Sequence, residues 1–197
     1  MRGLRRCFEK TLHCVLAPAV LLLALGANQP ARATTLMRMS LAQMSHAAQL
    51  IVRARCTGNS TGWDAGEIWT FTSFDIEETW RGSAPSQISV RLLGGRVGNI
   101  TSTVSGVPRF ASGEEVVLFL ESTPRGDFSI VSWEQGTFRI RRDTRTGEEI
   151  AVQDTSAFAV FDPATRRFET VGIRDLPTGT LRSRVDAATA GGPRRQP

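Results

Sequence analysis

Tyrosine is absent from this chain of 197 residues, and lysine occurs once, at Lys10 in the N-terminal segment. Beyond residue 33 the chain has a single histidine, His46, and a single cysteine, Cys56. These four residue types supply most of the groups that titrate near neutrality or act as nucleophiles in enzymes. Their scarcity argues against an enzyme. It also excludes an intrachain disulfide beyond residue 33 and makes a metal site improbable, so we predict no metal and no cofactor.

The N-terminal segment has the features of an export signal. A basic head is followed by an apolar stretch, residues 14–26, that is short for a membrane span and is interrupted by Pro18. The sequence Ala31-Arg32-Ala33 has small residues at the two positions that a signal peptidase reads, which predicts cleavage before Thr34. We therefore expect residues 1–33 to be a signal peptide and the product to be periplasmic or extracellular. A retained membrane anchor is the alternative.

The route of export is less sharply indicated. The pair Arg5-Arg6 with Phe8 and Lys10 resembles a twin-arginine signal. Leu4 and the acidic Glu9 depart from that pattern, and the strongly apolar stretch suits the general secretory route. We expect the general secretory route.

Charge is unevenly distributed along the chain. Removing residues 1–33 lowers the net charge from +5 to +1, because 19 arginines then face 18 acidic residues. Residues 34–162 carry a net charge of −3 and residues 163–197 a net charge of +4. Aromatic residues do not alternate with basic ones as a nucleic-acid groove requires, so no nucleic-acid partner is expected. The basic end is either solvated or contacts something anionic, such as the acidic body of the protein itself or an envelope surface.

Apolar alternation predicts many short strands with one helix near each end. Ser40 is a typical helix N-cap, and apolar residues follow it at spacings of three and four. Residues 115–121 are apolar on both faces and are expected at the centre of a sheet. By composition, residues 57–62 are predicted to be a loop. Further strands are predicted at 50–56, 67–80, 87–92, 100–104, 128–133, 137–142, 149–153, 157–161 and 167–171.

These elements predict a mainly β fold, an OB-like β-barrel with an N-terminal helix and a short C-terminal helix, because strands do not alternate with helices. Residues 34–175 are expected to form the barrel domain with a hairpin extension, the barrel itself being residues 36–142. Residues 176–197 are expected to hold a short helix, near 181–188, and a disordered basic tail.

Three segments carry a family resemblance. They are Leu50-Ile-Val-Arg-Ala-Arg-Cys56, the segment 72–82 ending in Trp-Arg-Gly, and the segment 110–120 with its Gly-Glu-Glu-Val-Val-Leu-Phe-Leu. Their order resembles the netrin-like domain, the OB-fold domain of the tissue inhibitors of metalloproteinases, and implies that fold over about residues 40–135. In those inhibitors an N-terminal cysteine chelates the zinc of the target and disulfides fix that end. The predicted start here is Thr34, so no inhibitory role or residue is carried over.

The clearest candidate binding residues are aromatic. Trp63, Trp69, Phe71 and Trp80 flank or belong to one long predicted strand. If they line an exposed face, they can stack on a sugar or hold a partner protein. The alternative is that they are buried under one of the terminal helices.

Carboxylates are the other candidates for chemistry. Asp75 and Glu77 share a strand face, and two acidic pairs occur at Glu77-Glu78 and Glu114-Glu115. A glycosidase needs two carboxylates about 5–10 Å apart, and positions i and i+2 of a strand lie about 7 Å apart. All of these residues lie near predicted strand ends, however, where solvated charge is typical. We therefore predict no catalytic residues among them.

Two other patterns have structural interpretations. His46 and Cys56 suffice for a thiol–imidazole dyad, but His46 falls off the apolar stripe of its helix. Cys56 shares a strand side with Val52 and Ala54, which predicts a buried and unreactive thiol. The glycine-rich segment 94–98 follows a strand without opening a helix, so we interpret it as a bulge or loop rather than a phosphate cradle.

The function predicted from the sequence is an exported, non-enzymatic binding module. Its partner is expected to be a protein or a cell-envelope polymer, and no transmembrane segment is expected after removal of the signal. A carboxylate-based hydrolase acting on an extracytoplasmic substrate is one alternative. A structural envelope component held by the basic tail is another.

Overall fold

Two helices flank a long run of strands, which confirms the mainly β prediction. A computed structural model describes residues 36–154, 159–170 and 172–190. The predicted signal peptide and the predicted tail at 191–197 lie outside the described residues. Helix α1 spans Leu41–Ala47 and helix α2 spans Thr178–Ala190. Neither of these described helices has the length and apolar character needed to span a membrane.

The described chain contains thirteen strands and one short 3-10 helix, Trp133–Gly136. In chain order the strands are β1 Leu36–Met37, β2 Leu50–Asp64, β3 Glu67–Arg81, β4 Gln87–Leu93, β5 Gly95–Val97, β6 Ile100–Ser102, β7 Glu115–Ser122, β8 Phe128–Ile130, β9 Thr137–Arg142, β10 Glu149–Val152, β11 Val160–Asp162, β12 Arg167–Glu169 and β13 Leu176–Pro177.

Helix α1 begins where the sequence predicts, because its first turn is capped reciprocally. The backbone N–H of Gln43 donates to Ser40 Oγ at 3.2 Å, and the N–H of Ser40 donates to Gln43 Oε1 at 2.8 Å. This capping box satisfies two backbone donors that the helix leaves free. His46 is exposed on this helix, as its position off the apolar stripe predicts.

Eight strands form one sheet in the order β13-β10-β9-β7-β2-β3-β4-β8. Strand β7 lies between β9 and β2, which confirms its predicted central position, and it also pairs with β8. In the described residues β4 and β8 pair in parallel at one point, Val90 with Phe128. Strands β1, β11 and β12 form a second sheet, and β5 pairs with β6.

Buried residues form a separate core on each face of β2 and β7. On β2, Val52 and Ala54 face one core, and Ile51 faces the other. The first core, here the inner core, is completed by residues of β3, β4 and β8 such as Phe74, Val90 and Ile130. The second, here the helix core, packs Met44 of α1 and Leu181 of α2 against the sheet. Two buried faces explain why β7 has apolar residues at consecutive positions.

The loop predicted at residues 57–62 is wrong, because these residues continue β2 to Asp64. They pair with β3 from Ser73 to Trp69. Their polar side chains find partners within the fold: Asn59 Nδ2 donates to the Phe110 carbonyl at 2.9 Å, and Thr72 Oγ1 donates to Asn59 Oδ1 at 2.6 Å. Pairing with a long partner strand therefore outweighs the turn preference of this composition.

Smaller differences lie at the ends of elements. The strand predicted at 128–133 ends at Ile130, and the 3-10 helix Trp133–Gly136 follows. The segment predicted as a break at 94–98 contains the short strand β5. The predicted hairpin 157–161 and 167–171 is present as β11 and β12, whereas residues 157, 158 and 171 lie outside the described residues.

Candidate binding site

The aromatic candidates do not share one face. In the pairing of β2 with β3, Trp69 lies opposite Gly62, and Phe71 lies opposite Ser60. Both rings project from the outer face of β3, since Ile68, Thr70 and Thr72 alternate with them and are buried. Trp63 lies opposite Ile68 and therefore shares the face of Ile68, which is opposite to the face of Trp69 and Phe71. Trp63 lies near the end of the hairpin, where its side chain is 55% exposed.

Trp80 lies far along β3 from the other three. Its ring packs against the edge of the helix core, and its Nε1–H donates to Glu78 at 3.2 Å. The guanidinium of Arg182 on α2 lies 5.8 Å from the ring centroid. Trp80 is therefore half-buried beside the C-terminal helix, and the four aromatic residues divide among three places.

The residue that organises the outer face of β3 is Arg91 on β4. Its guanidinium carbon lies 4.0 Å from the ring centroid of Trp69 and 5.8 Å from that of Phe71. Arg91 Nη2 donates to Asp64 Oδ2 at 2.6 Å. A cation–π contact of this kind contributes about 0.5–2 kcal/mol. The stack and the ion pair hold the guanidinium in one orientation.

A second arginine reaches the same carboxylate from the turn between β7 and β8. Arg125 Nη1 donates to Asp64 Oδ2 at 2.5 Å. Hydrogen bonds from Arg125 and from Arg91 lower the pKa of Asp64 below its ordinary value. The carboxylate is therefore ionised at neutral pH and joins the β2–β3 hairpin to the β7–β8 turn.

The backbone places these side chains through two tight turns. Ala65 and Gly66 have φ angles of 50° and 83°, so the β2–β3 hairpin closes in two residues and puts Asp64 at its tip. In the β7–β8 turn, Thr123 N–H donates to the Asp127 carbonyl at 2.9 Å, and the two side chains are hydrogen bonded. Arg125 projects from this turn.

A cavity of about 400 Å³ opens where β4 and β8 part. Its walls include Asp64, Glu67, Trp69 and Arg91 on one side and Ile130 and Trp133 on the other. Strands β4 and β8 pair at Val90 and Phe128, and the residues of each strand that line the cavity come directly after that pair in the sequence. We call this space the seam cavity. Its volume is in the range that small-molecule sites occupy.

Trp133 enters the seam cavity from a strained turn. Ser132 and Trp133 have φ angles of 52° and 56°, the left-handed region that bulky residues rarely adopt. Gln135 holds this turn, because its Nε2 donates to Ser132 Oγ at 2.7 Å and to the Met37 carbonyl at 2.9 Å. Gly136 permits it, since a Cβ there would lie 2.2 Å from the Val131 carbonyl oxygen. Strain of this kind concentrates at functional sites.

One donor at the seam cavity is unused. Arg91 is 9% exposed in its side chain, and its buried Nε has no hydrogen-bond partner. The carboxylate oxygen Asp127 Oδ2 lies 3.8 Å from this Nε, beyond hydrogen-bond distance. An unmade hydrogen bond to a buried donor costs about 1–3 kcal/mol. This donor therefore remains unsatisfied beside Asp127, and as a buried atom it is not exposed to the cavity.

The five acidic candidates pair with basic or amide groups, and only Glu77 and Glu115 share a partner. Glu77 and Glu115 both bind Arg55 on the surface of β2. Asp75 accepts from Gln87 at 3.0 Å, Glu78 binds Arg182, and Glu114 binds Arg139 at 2.9 Å. Of three described cavities, of about 590, 400 and 370 Å³, one is lined by Glu78 and none by two of the five.

A further buried acid, Glu134, was not among the sequence candidates. Burial raises the pKa of Glu134 above its ordinary value despite its bonds to Arg139, at 2.8 Å and 3.1 Å. Arg139 also binds Glu114, so one guanidinium connects the turn before β7, strand β9 and the 3-10 helix. This arrangement is typical of an ion pair that holds structure in place.

Cys56 is buried, as its strand position predicts. Burial raises the pKa of the Cys56 thiol, which opposes formation of the reactive thiolate at neutral pH. Among the described residues no cluster of three or more histidine, cysteine, aspartate or glutamate side chains suits a metal ion.

Sequence comparison adds no assignment: the chain matches no protein-family model and no curated protein sequence. The site is therefore defined by its own geometry. Of its residues, Trp69 was predicted from sequence, whereas Asp64, Arg91, Arg125 and Trp133 were not. The sequence feature that could have identified Arg91 is its position as a charged residue between the apolar residues Val90 and Leu92 of a predicted strand.

Proposed function

We propose that this protein is an exported, non-enzymatic binding module whose site is the seam cavity. The observation that carries the proposal is the seam cavity itself, a ligand-sized space lined by the guanidinium of Arg91, which Trp69 and Asp64 hold in place, and by the exposed guanidinium of Arg125. A preformed donor in a ligand-sized cavity binds without the entropic cost of ordering a flexible side chain. The partner is an extracytoplasmic protein or a cell-envelope polymer.

The strand pairings support an OB-like barrel as the scaffold. Each of β2, β3, β4 and β8 pairs with the next, and β8 and β2 both pair with β7. This circular order, with one parallel contact between β4 and β8, is consistent with the resemblance to netrin-like domains. OB-folds bind ligands on the face of their second and third strands and at the adjoining loops. Here these elements are β3, β4, the β2–β3 hairpin and the β7–β8 turn, which line the seam cavity.

Hydrolysis has less support than binding. A carboxylate hydrolase needs an acid and a second carboxylate across one cleft. The acidic candidates Glu77 and Glu115 share a guanidinium on an outer sheet surface instead. Asp64, the acid at the seam cavity, is held ionised by two arginines and cannot act as a proton donor at neutral pH.

The test uses the full chain, produced with its own signal in an exporting bacterial host. Mass spectrometry of the exported product should give an N-terminus at Thr34. The purified product is then passed over immobilised cell-wall polymer and over immobilised envelope proteins. Arg91→Leu should weaken retention by about tenfold or more, which is about 1.4 kcal/mol of binding free energy.

Arg142→Leu is the matched control, because Arg142 is 72% exposed and belongs to β9, outside the cavity. Arg125→Leu is the second site variant, because Arg125 is largely exposed and its loss should leave folding intact. Circular dichroism melts verify that each variant is folded. Retention that is equal in the parent, Arg91→Leu and Arg125→Leu would overturn the proposed site, and absence of any retention would overturn the binding function.

A further inference from the structure

The charges at the seam cavity compensate one another. The charged residues that line it are Asp64, Glu67, Arg91 and Arg125, two acids and two bases. Both arginines donate to the same oxygen, Asp64 Oδ2. An anionic ligand therefore meets no net positive charge, and a cationic ligand meets no net negative charge. The balanced charges of the lining therefore suit a polar ligand without a net charge.

The hydrogen-bonding groups at the cavity include both donors and acceptors. Arg125 offers an exposed guanidinium as the donor. Glu67 is an exposed acceptor at the rim, and Asp64 keeps Oδ1 outside its two arginine bonds. A hydroxyl both donates and accepts, so several hydroxyls on one ligand match this mixture.

The remaining wall is apolar. Leu92, Val107 and Ile130 are buried residues of the inner core that also border the cavity, and Trp133 adds an aromatic ring. A ring of C–H groups packs well on such a surface, since aromatic side chains combine a large apolar face with fixed geometry. A saccharide presents hydroxyls at its edge and C–H groups on its face.

We infer that the seam cavity binds an uncharged saccharide unit of an extracytoplasmic glycan. This inference rests on the proposed binding function and deepens it by assigning the ligand class. The exposed guanidinium of Arg125 donates to a ring hydroxyl, and Trp133 packs on the face of the sugar. The hydrogen bond from Arg125 to Asp64 holds that guanidinium at the cavity.

The test compares matched tetrasaccharides by isothermal titration with the full exported chain. The probes are tetramers of glucose and of N-acetylglucosamine, with a tetramer of galacturonate as the anionic match. At least one neutral tetramer should bind about tenfold or more tightly than the galacturonate tetramer. Its affinity should remain within about twofold in about 1 M salt, where the Debye length is only about 3 Å.

Three variants assign the binding to the cavity. Arg91→Lys retains a positive charge but loses the planar guanidinium that lies against Trp69 in the cavity wall, and Trp133→Gly removes the ring at a φ angle that glycine adopts freely. Each should weaken neutral binding about tenfold. Arg125→Gln, on an exposed side chain, should weaken it measurably without affecting folding. Arg142→Lys, outside the cavity, should leave it unchanged.

Tighter binding of the galacturonate tetramer, or neutral binding that survives both Arg91→Lys and Arg125→Gln, would overturn the inference. If no tetramer binds while retention on envelope protein still depends on Arg91, the saccharide assignment fails and the proposed binding module stands. If that retention is also absent, both fail.

Discussion

Replacing Arg53 by methionine tests whether the acidic residues of the outer sheet are structural. Arg53 lies on β2 and is 15% exposed in its side chain. Its Nε, Nη2 and Nη1 lie 3.2, 2.9 and 2.8 Å from Glu77, Glu115 and Glu149. These carboxylates belong to β3, β7 and β10, so one guanidinium connects four strands. Arg53→Met removes the charge while keeping an unbranched side chain.

The expected loss of unfolding free energy lies between two known limits. Exposed ion pairs contribute about 0–1 kcal/mol, and breaking a buried pair costs about 3–5 kcal/mol. The carboxylates around Arg53 are one-quarter to one-third exposed, which allows partial screening. We expect Arg53→Met to cost about 2–3 kcal/mol at pH 7.

The loss should depend on pH. The hydrogen bond from Arg53 lowers the pKa of Glu149 below its ordinary value of 4.5. A lowered folded-state pKa contributes stability that is present above the unfolded-state pKa and is lost as pH falls through the folded-state value. The difference between the parent and Arg53→Met should therefore be full at pH 7 and should shrink as pH falls below about 4.5.

The assay is urea denaturation, followed by tryptophan fluorescence, at pH 7 and pH 3. Urea is uncharged and does not screen the ion pairs, unlike guanidinium chloride. Arg142→Met is the control, because Arg142 is 72% exposed and lies 3.9 Å from Glu149. It should cost less than about 1 kcal/mol. Equal costs for the two variants, or a cost for Arg53→Met that is the same at both pH values, would refute the reasoning.

Three further predictions concern stability and reactivity. Gly136→Ala should lower the free energy of unfolding by about 2–3 kcal/mol, because the added Cβ would meet the Val131 carbonyl. Gly62→Ala is the control and should change this free energy by less than about 0.5 kcal/mol, because a Cβ there meets nothing within 4 Å. Thermal melts that show equal losses for the two variants would contradict this. Cys56 should resist a thiol reagent in the native protein and react in urea, and labelling at equal rates would show an accessible thiol. Because the pKa of Glu134 is raised by burial, the parent should lose stability relative to Glu134→Gln as pH rises above about 4.5, and parallel urea midpoints at pH 4 and pH 7 would disprove it.

The sequence predicts those elements of the fold that depend on residues close together in the chain, such as a run of apolar residues or a helix cap. Strand β7 carries apolar residues at every position from Val116 to Leu120, and no other arrangement than burial on both faces accommodates them. Helix α1 is predicted by Ser40, whose side chain caps it. Both signals lie within a few residues of the structure that they specify.

The error at residues 57–62 shows where local pattern fails. Gly58 and Gly62 favour turns in isolation, yet both lie in the middle of a paired strand. Gly62 lies opposite Trp69, and Gly58 lies at an irregularity in the pairing with Ser73. A Cβ at either position would meet nothing within 4 Å, so neither glycine is required by a close neighbour. The pairing with β3 therefore outweighs the turn preference of these residues.

The candidate site could be predicted only in its aromatic part. Trp69 and Phe71 alternate with buried residues, which assigns them to one outer face from sequence alone. Asp64 meets Arg91 across 27 residues and Arg125 across 61 residues. Both contacts depend on the register of neighbouring strands and on the geometry of two turns. The periodicity of the sequence predicts neither the strand register nor the turn geometry.

The absence of lysine beyond residue 33 gains a physical meaning at the seam cavity. The guanidinium of Arg91 is planar, so it can lie against the Trp69 ring, bond Asp64 through Nη2 and still hold Nε in a fixed direction. A lysine ammonium is a compact, strongly hydrated charge on a flexible chain, and it lacks this plane. The scarcity of lysine therefore accompanies a wall residue of the seam cavity whose position depends on the guanidinium plane.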